Sequence, residues 1–122
     1  ILLAEDNELN AEISMTILAD AGLQVELAED GQKVIEMLEA SPADDYDLIL
    51  MDIQMPHMNG YEATKKIRAM KNARASIPIV AMTANAFEED RKAAFAAGMN
   101  EHIAKPIQIA KLMNIIAKMV LA

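Results

Sequence analysis

Side chains that could carry out chemistry follow the short apolar stretches of this sequence. They lie within two residues of the end of such a stretch, and they are Glu5, Asp6, Asp52, Thr83 and Lys105. The run before Asp52, residues 48–51, has no polar alternation, which is typical of a strand buried on both faces of a parallel sheet. Asp52 then lies at the carboxyl end of a strand, the edge at which open α/β sheets bind ligands. Three carboxylates at that edge would repel one another, so we expect a bound cation.

The elements that must position these groups alternate between strand and helix along the chain. The predicted strands are residues 1–4, 25–28, 48–52, 77–82 and 102–104, and the predicted helices are residues 7–21, 31–41, 59–70, 85–98 and 108–121. Gly22 and Gly98 are expected to end helices, while Asn59 with Glu62 resembles a capping box at a helix start. Right-handed crossovers between parallel strands place helices on both faces of the sheet. The sequence therefore predicts an α/β fold with three layers.

In the first predicted helix, Ile13, Ile17 and Ala21 follow helical spacing and are expected to face the core. Ala11 and Met15 then point to the opposite side and are four residues apart, which makes them neighbours on the surface. Isolated exposed apolar residues are also common on protein surfaces. We expect Ala11 and Met15 to form an exposed apolar patch close to the carboxylates.

Composition limits the classes of protein to which the chain can belong. Its 122 residues are 53% hydrophobic, which fits one compact domain over residues 1–122. The formal net charge of -8 argues against a nucleic-acid surface and favours a basic partner or a bound cation. No apolar run approaches the ~18 residues that span a bilayer, and the absence of Cys is compatible with the cytoplasm. We expect no membrane contact by this domain. The chain begins at Ile1, inside a predicted strand, which suggests a piece of a longer polypeptide.

Two enzyme classes fit this pattern less well. Phosphatases of the haloacid dehalogenase type also carry an aspartate after a strand, but they resemble one another in a second acid two residues later. Gln54 occupies that position here. Nucleotide-binding enzymes need a glycine-rich phosphate cradle, and neither GxxxxGK nor GxGxxG occurs among the 4 glycines. The sequence favours neither class.

Four segments occur in an order that matches one known family. They are ILLAEDN at residues 1–7, MDIQMPHMNG at residues 51–60, AMTA at residues 81–84 and the Lys-Pro pair at residues 105–106. Together they resemble the receiver domains of two-component response regulators, and most of all those of hybrid sensor histidine kinases. The resemblance covers essentially the whole chain. It implies a flavodoxin-like (βα)5 fold with strand order 2-1-3-4-5, and phosphorylation of Asp52 by a phosphohistidine donor.

The resemblance also implies a role for each residue of the site. The implied site residues are Glu5, Asp6, Asp52, Gln54, Thr83, Lys105 and Pro106. The three carboxylates and the backbone carbonyl of Gln54 would hold Mg²⁺, for which Mn²⁺ could substitute. Thr83 and Lys105 would contact the phosphoryl group, and a cis peptide bond before Pro106 would orient the lysine. Thr83 would also act in a conformational switch with His102, at a position where receivers usually carry Tyr or Phe.

The implied partner is a histidine kinase or a histidine phosphotransfer domain, whose helix would dock on the patch of Ala11 and Met15. The domain itself is expected to be a monomer or a weak dimer and to be cytoplasmic. Two alternatives stay open. The chain could be a stand-alone regulator rather than part of a hybrid kinase, or it could be an interaction module that keeps the fold without being phosphorylated.

Overall fold

A sheet of five parallel strands organises the molecule. The computed structural model describes residues 1–41, 46–53, 55, 58–70, 73–83, 88–104 and 107–119. The strands are β1 (Leu2–Ala4), β2 (Glu26–Ala28), β3 (Ile49–Asp52), β4 (Ile79–Thr83) and β5 (Glu101–Ala104). Their order across the sheet is β2-β1-β3-β4-β5. The strand order implied by the family resemblance is therefore confirmed.

Helices cover both faces of this sheet. Within the described ranges they are α1 (Glu8–Asp20), α2 (Gly31–Ala40), α3 (Gly60–Arg68), α4 (Glu88–Ala97) and α5 (Ile109–Met119). One buried cluster lies under α2, α3 and α4 and includes Val34, Ile67 and Ala94. A second lies under α1 and α5 and includes Leu18 and Leu112. The predicted α/β fold with three layers is confirmed. None of these described helices is long and apolar enough to cross a membrane.

The central strand β3 explains why its sequence shows no polar alternation. Ile49 and Met51 face the cluster under α2, α3 and α4, whereas Leu50 faces the cluster under α1 and α5. All three side chains are fully buried, because β3 has a strand on each side and helices on both faces. Burial of one such side chain stabilises the fold by roughly 1.5–3 kcal/mol. Asp52 is the first polar residue after them, at the carboxyl end of the strand as predicted.

Side-chain caps fix the starts of three helices at this edge of the sheet. Asn59 Oδ1 accepts a hydrogen bond from the backbone N–H of Glu62 at 2.9 Å, and the Glu62 carboxylate accepts one from the N–H of Asn59. The predicted capping box is thus confirmed. Asn7 caps α1 and Asp30 caps α2 in the same way through their Oδ1 atoms. Because each cap contributes about 1 kcal/mol, the first turns of these three helices are stabilised at this edge.

At the opposite edge, Arg68 ties the ends of α3 and α4 to the segment before β4. Its guanidinium group donates to the carbonyl oxygens of Ala75 and Ile77 at 2.8 and 2.7 Å. It also donates to the Gly98 carbonyl at 2.8 Å and to Asn100 Oδ1 at 2.7 Å. Burial lowers the pKa of Arg68, and these acceptors replace the water that the guanidinium group has lost. The charged side chain therefore acts as a clamp at this edge.

The face of α1 that contacts the sheet differs from the predicted one. Ala11 and Leu18 are buried. Met15 and Ile17 pack against the cluster under α1 and α5, whereas Ile13 is exposed. The prediction that Ile13 faces the core is therefore wrong. Apolar residues occupy several sides of this helix, so spacing alone is compatible with two different buried stripes. Packing against the sheet selects the stripe that contains the fully buried Leu18.

Candidate functional site

Two neighbouring strands bring three carboxylates together at the carboxyl edge of the sheet. β1 and β3 pair in parallel with Ala4 opposite Met51, so the residues that follow, Glu5 and Asp52, also lie side by side. One carboxylate oxygen each from Glu5, Asp6 and Asp52 lies within 4.8 Å of the others. Glu5 is 2% exposed and Asp52 is 6% exposed, while Asp6 is exposed to solvent. The carboxylate cluster thus has two buried members and one that faces solvent.

The backbone around this cluster is held by the sheet. The Glu5 N–H donates to the Ala28 carbonyl of β2 at 3.0 Å, and the Ile53 N–H donates to the Met82 carbonyl of β4 at 3.3 Å. Glu5 Oε1 also accepts a hydrogen bond from the backbone N–H of Asn7 at 3.3 Å. Because neighbouring strands fix the backbone on both sides of the cluster, the carboxylates are held close together by the fold itself.

Carboxylates at this separation favour the binding of positive charge. When both are ionised, Glu5 and Asp52 at about 5 Å repel each other by on the order of 3 kcal/mol at an effective dielectric constant of about 20. The three donor groups are all oxygens, and two of them belong to buried side chains. Such a donor set suits a hard divalent cation, of which Mg²⁺ is an example. The residues present therefore fit the cation site that the sequence predicts.

The neighbouring strand ends place further predicted site residues at this edge. Met82 lies opposite Asp52 in the pairing of β3 with β4, so Thr83, the next residue, ends β4 beside the cluster. Ala104 lies opposite Thr83 and is the last residue of β5, directly before the predicted lysine. The predicted site residues outside the described part of the chain are Gln54, Lys105 and Pro106, whose roles stay predictions.

His102, the predicted switch residue, lies in β5 opposite Ala81. Ala81 belongs to the cluster under α2, α3 and α4, so the imidazole is on that side of the sheet. The His102 side chain is 15% exposed, and its Nδ1 atom is buried without a hydrogen-bond partner among the described residues. Glu101 Oε1 lies 3.8 Å from Nδ1 and accepts from the His102 backbone N–H at 3.1 Å. The switching role of His102 stays a prediction.

The predicted docking patch of Ala11 and Met15 is not an exposed surface, because Ala11 is buried and Met15 is half-buried. Ala11 is 3% exposed, and Met15 packs against the core under α1 and α5. The prediction is therefore wrong, because this side of α1 packs on the sheet. The exposed apolar side chains of α1 are instead Leu9 and Ile13, at 65% and 46% exposure. They are four residues apart on the first two turns, which makes them neighbours beside the carboxylate cluster.

Two glycines near the cluster have a structural importance that the sequence did not indicate. Gly60, the first residue of α3, is so close to β3 that a Cβ atom at this position would lie 2.5 Å from the carbonyl oxygen of Asp52. A Cβ atom on Gly31, the first residue of α2, would lie 2.6 Å from the carbonyl oxygen of Met58. The signal in the sequence is a glycine directly after each helix-capping residue. Such a glycine is equally compatible with an ordinary turn.

The sheet is open and parallel with strand order 2-1-3-4-5, and acidic side chains lie at the carboxyl ends of β1 and β3. This fold and this site define a receiver-type α/β domain. The response regulator receiver domain family matches residues 1–117, and the chain belongs to this family. The family membership that the sequence motifs indicate is thus confirmed.

Relatives and solved structures of this family resemble the chain over almost its full length. Hybrid signal transduction histidine kinase G of Dictyostelium discoideum is 42% identical over 118 residues, which are 95% of this chain and 3% of that protein. The receiver domain of a Pseudomonas aeruginosa sensor histidine kinase was solved with a magnesium ion in its active-site cleft. It is 40% identical, with a TM-score of 0.86 and coverage of 99% of this chain and 96% of that chain.

A second solved structure shows a receiver domain with a partner. It contains the receiver domain of a Saccharomyces cerevisiae response regulator in complex with its upstream histidine phosphotransfer protein. The match has 29% identity, a TM-score of 0.84, and coverage of 98% of this chain and 87% of that chain.

Among the curated hybrid and sensor kinases that it matches, the chain spans only 3% to 13% of the length. It is therefore a receiver domain of the kind found in hybrid histidine kinases and response regulators.

Proposed function

We propose that this chain accepts a phosphoryl group on Asp52 from a phosphohistidine donor, in a reaction that depends on Mg²⁺. The observation that carries the proposal is the cluster of Glu5, Asp6 and Asp52, whose carboxylate oxygens lie within 4.8 Å of one another. Asp52 is one of the two buried members of the cluster and lies at the end of the central strand, between the ends of β1 and β4. Its position next to Thr83 and membership in the receiver family support the same assignment.

The proposed chemistry is a direct transfer of the phosphoryl group. One carboxylate oxygen of Asp52 attacks the phosphorus atom, and an O–P bond forms as the P–N bond to the donor imidazole breaks. The electron pair of the broken bond leaves with the imidazole nitrogen, which takes up a proton from solvent. Asp52 needs no general base, because an ionised carboxylate has no proton to remove. The product is an acyl phosphate.

Positive charge is needed at this site because both the phosphoryl group and the attacking carboxylate are anionic. Mg²⁺ held by the three carboxylates and by the backbone carbonyl of Gln54 would supply that charge. Thr83 would donate its hydroxyl hydrogen to one phosphoryl oxygen, and the Lys105 ammonium group would contact another. Mn²⁺ is expected to substitute for Mg²⁺, since carboxylate and carbonyl oxygens suit both ions.

The proposed switch consists of Thr83 and His102. Both residues lie on the side of the sheet that α4 covers, on the neighbouring strands β4 and β5. Movement of the Thr83 hydroxyl toward the phosphoryl group would change the space next to the imidazole and favour one of two ring positions. Imidazole resonances of His102 that do not change on phosphorylation would rule out this part of the proposal.

Incubation with acetyl phosphate tests whether the domain is an active receiver. We expect the intact mass to increase by one phosphoryl group when Mg²⁺ is present and to stay unchanged when EDTA is added instead. A chain that binds Mg²⁺ but takes up no phosphoryl group from acetyl phosphate or from a protein donor would be an interaction module and not a phosphoacceptor.

For the parent protein, we propose a hybrid histidine kinase that contains this chain as one receiver domain. The support is that the curated relatives are hybrid or sensor histidine kinases in which the matching segment is a small part of the length. A stand-alone regulator is the alternative, and the full-length reading frame decides between them. A cytoplasmic location and a monomeric or weakly dimeric state stay predictions, to be checked by cell fractionation and analytical ultracentrifugation.

For the partner, we infer that the donor helix bearing the phosphohistidine docks on Leu9 and Ile13. This exposed apolar pair lies on the first two turns of α1, immediately after the strand end that carries Glu5 and Asp6. The exposed acidic residues Glu8 and Glu12 border the pair, which favours a donor surface with basic side chains. The yeast complex of a receiver domain with a phosphotransfer protein supports this class of partner.

The docking surface is tested with the double variant Leu9→Asp, Ile13→Asp. We expect a protein donor to transfer its phosphoryl group at least about tenfold more slowly, since loss of an apolar hot spot costs more than about 1 kcal/mol per residue. Labelling by acetyl phosphate should be unchanged, because both positions are exposed and neither touches the cluster. The control is Phe95→Asp, which replaces an exposed apolar residue on α4. Equal losses in Phe95→Asp would contradict docking on α1.

A further inference from the structure

Gly60, the first residue of α3, lies against the end of β3 and has no side chain. A Cβ atom on Gly60 would lie 2.5 Å from the Asp52 carbonyl oxygen and 3.0 Å from the Ile53 Cα atom. The Gly60 N–H donates to the Ile53 carbonyl at 2.9 Å. Cβ atoms do not approach backbone atoms this closely, so a side chain at position 60 would displace the strand end that carries Asp52.

A second glycine, Gly31 of α2, contacts Met58, which lies two residues before Gly60. A Cβ atom on Gly31 would lie 2.6 Å from the carbonyl oxygen of Met58 and 3.1 Å from its Cβ atom. It would also lie 3.1 Å from the Cβ atom of Ala63 in α3. The glycines with a positive φ are Gly22 and Gly98. Glycine is therefore needed at position 31 because a side chain would not fit at this contact, and not because the backbone has a positive φ.

The two contacts are connected through a short stretch of chain. Met58 is buried in the cluster under α2, α3 and α4, and the next residue, Asn59, is fixed to α3 by the capping box. Gly60 then rests on the backbone of Asp52. Because close-packed groups leave no voids to absorb a shift, a displaced Met58 backbone moves Gly60 and with it the strand end.

We propose that Gly31 is a positioning residue of the carboxylate cluster. Its missing side chain lets Met58 lie where Gly60 can hold Asp52 beside the other two carboxylates. Gly31 has no side-chain group that could bind a metal ion or a phosphoryl group, so the proposed effect is transmitted through the backbone positions of Met58 and Gly60. The inference rests on the proposed function only in using Mg²⁺ binding as one readout of the cluster.

The variant Gly31→Ala tests this inference by adding one methyl group at the contact with Met58. Mg²⁺ affinity is measured by titration calorimetry without a phosphoryl donor, and the Asp52 and Ile53 amide resonances are compared in metal-free protein. We expect the affinity to fall at least about tenfold, as when groups that support metal ligands are disturbed. Both amide resonances should also shift.

The matched control is Gly22→Ala. Gly22 has a φ of 88, so the substitution strains the backbone, but a Cβ atom there meets nothing within 4 Å. Gly22→Ala should therefore lower stability and leave Mg²⁺ affinity and the two amide resonances unchanged. The comparison separates a general loss of stability from a displacement at the site.

The inference is overturned if folded Gly31→Ala binds Mg²⁺ with the parent affinity and unshifted amide resonances, or if both variants lose the same affinity. If Gly31→Ala does not fold, adding Ala63→Gly relieves the contact between α2 and α3 while the Met58 contact remains, and the same outcomes apply. A parent chain that binds no Mg²⁺ would instead contradict the proposed function. The metal-free resonances would still decide the role of Gly31.

Discussion

Glu5 and Asp52 are buried next to each other because two adjacent strands end at the same edge, and not because the side chains attract one another. In the metal-free protein their proximity opposes folding when both are ionised. A cation that binds only the folded state stabilises it by mass action. Cation binding thus offsets the repulsion between the carboxylates that destabilises the metal-free fold.

The substitution Glu5→Gln tests this repulsion. It removes one charge and keeps an oxygen that can accept the hydrogen bond from the Asn7 N–H. In urea unfolding with EDTA, we expect the variant to be more stable than the parent by about 1–3 kcal/mol. With saturating Mg²⁺ the parent should be the more stable protein. The control Glu12→Gln, at an exposed position of α1, should change stability by less than about 0.5 kcal/mol. A metal-free Glu5→Gln variant that is less stable than the parent would contradict the assigned repulsion.

Among the secondary-structure elements, β3 could be predicted from the sequence and the buried face of α1 could not. An unbroken apolar run that ends on Asp52 is typical of a strand in the interior of a parallel sheet, with its polar residue at the carboxyl edge. Helix α1 carries Leu9 and Ile13 on one side and Ala11 and Leu18 on another, so its pattern is compatible with two orientations. Only the packing against the sheet decides between them. The contact of Gly31 in α2 with Met58 joins distant segments, and its only local sign, a glycine after a capping residue, is equally compatible with an ordinary turn.

The clamp at the end of α3 is tested by Arg68→Met, which keeps much of the side-chain volume and removes every donor. The carbonyl groups of Ala75 and Ile77, whose hydrogen bonds to Arg68 are partly buried, then lose a charged partner. We expect the free energy of unfolding to fall by about 2–4 kcal/mol, with unchanged Mg²⁺ affinity because the clamp lies at the opposite edge from the carboxylates. The control is Arg91→Met, which removes an exposed guanidinium group 5.5 Å from the Phe95 ring and should cost less than about 1 kcal/mol. Loss of Mg²⁺ affinity in Arg68→Met would contradict the separation of the two edges.

At the scale of the whole molecule, the order of the strands came from the family resemblance, because local patterns define elements and not which strands pair. Charge, by contrast, can be counted directly from the sequence. Residues 1–62 contain 15 of the 19 acidic residues and 1 of the 11 basic residues. This half includes α1, α2 and the edge strand β2, together with the carboxylate cluster. The cluster therefore lies in the acidic half of the chain, whose field would attract the basic surface of the proposed donor.

This charge distribution predicts different effects of salt on the rates with two phosphoryl donors. Salt screens attraction over about 10 Å at 0.1 M, so transfer from a protein donor with a basic docking surface should slow as ionic strength rises. Acetyl phosphate is an anion that the same field repels, so its rate should stay constant or increase. Initial rates of both reactions at saturating Mg²⁺ measure the two effects. A parallel decrease with both donors would indicate an effect on the site itself and would contradict electrostatic steering.

The assignment of Asp52 as the phosphoacceptor is tested most directly by peptide mapping after incubation with acetyl phosphate and Mg²⁺. We predict one phosphoryl group on Asp52 of the parent chain and none on a folded Asp52→Asn variant, because an amide oxygen is a far poorer nucleophile than a carboxylate. Stoichiometric labelling of Asp52→Asn, or a phosphoryl group mapped to another residue of the parent, would contradict the assignment.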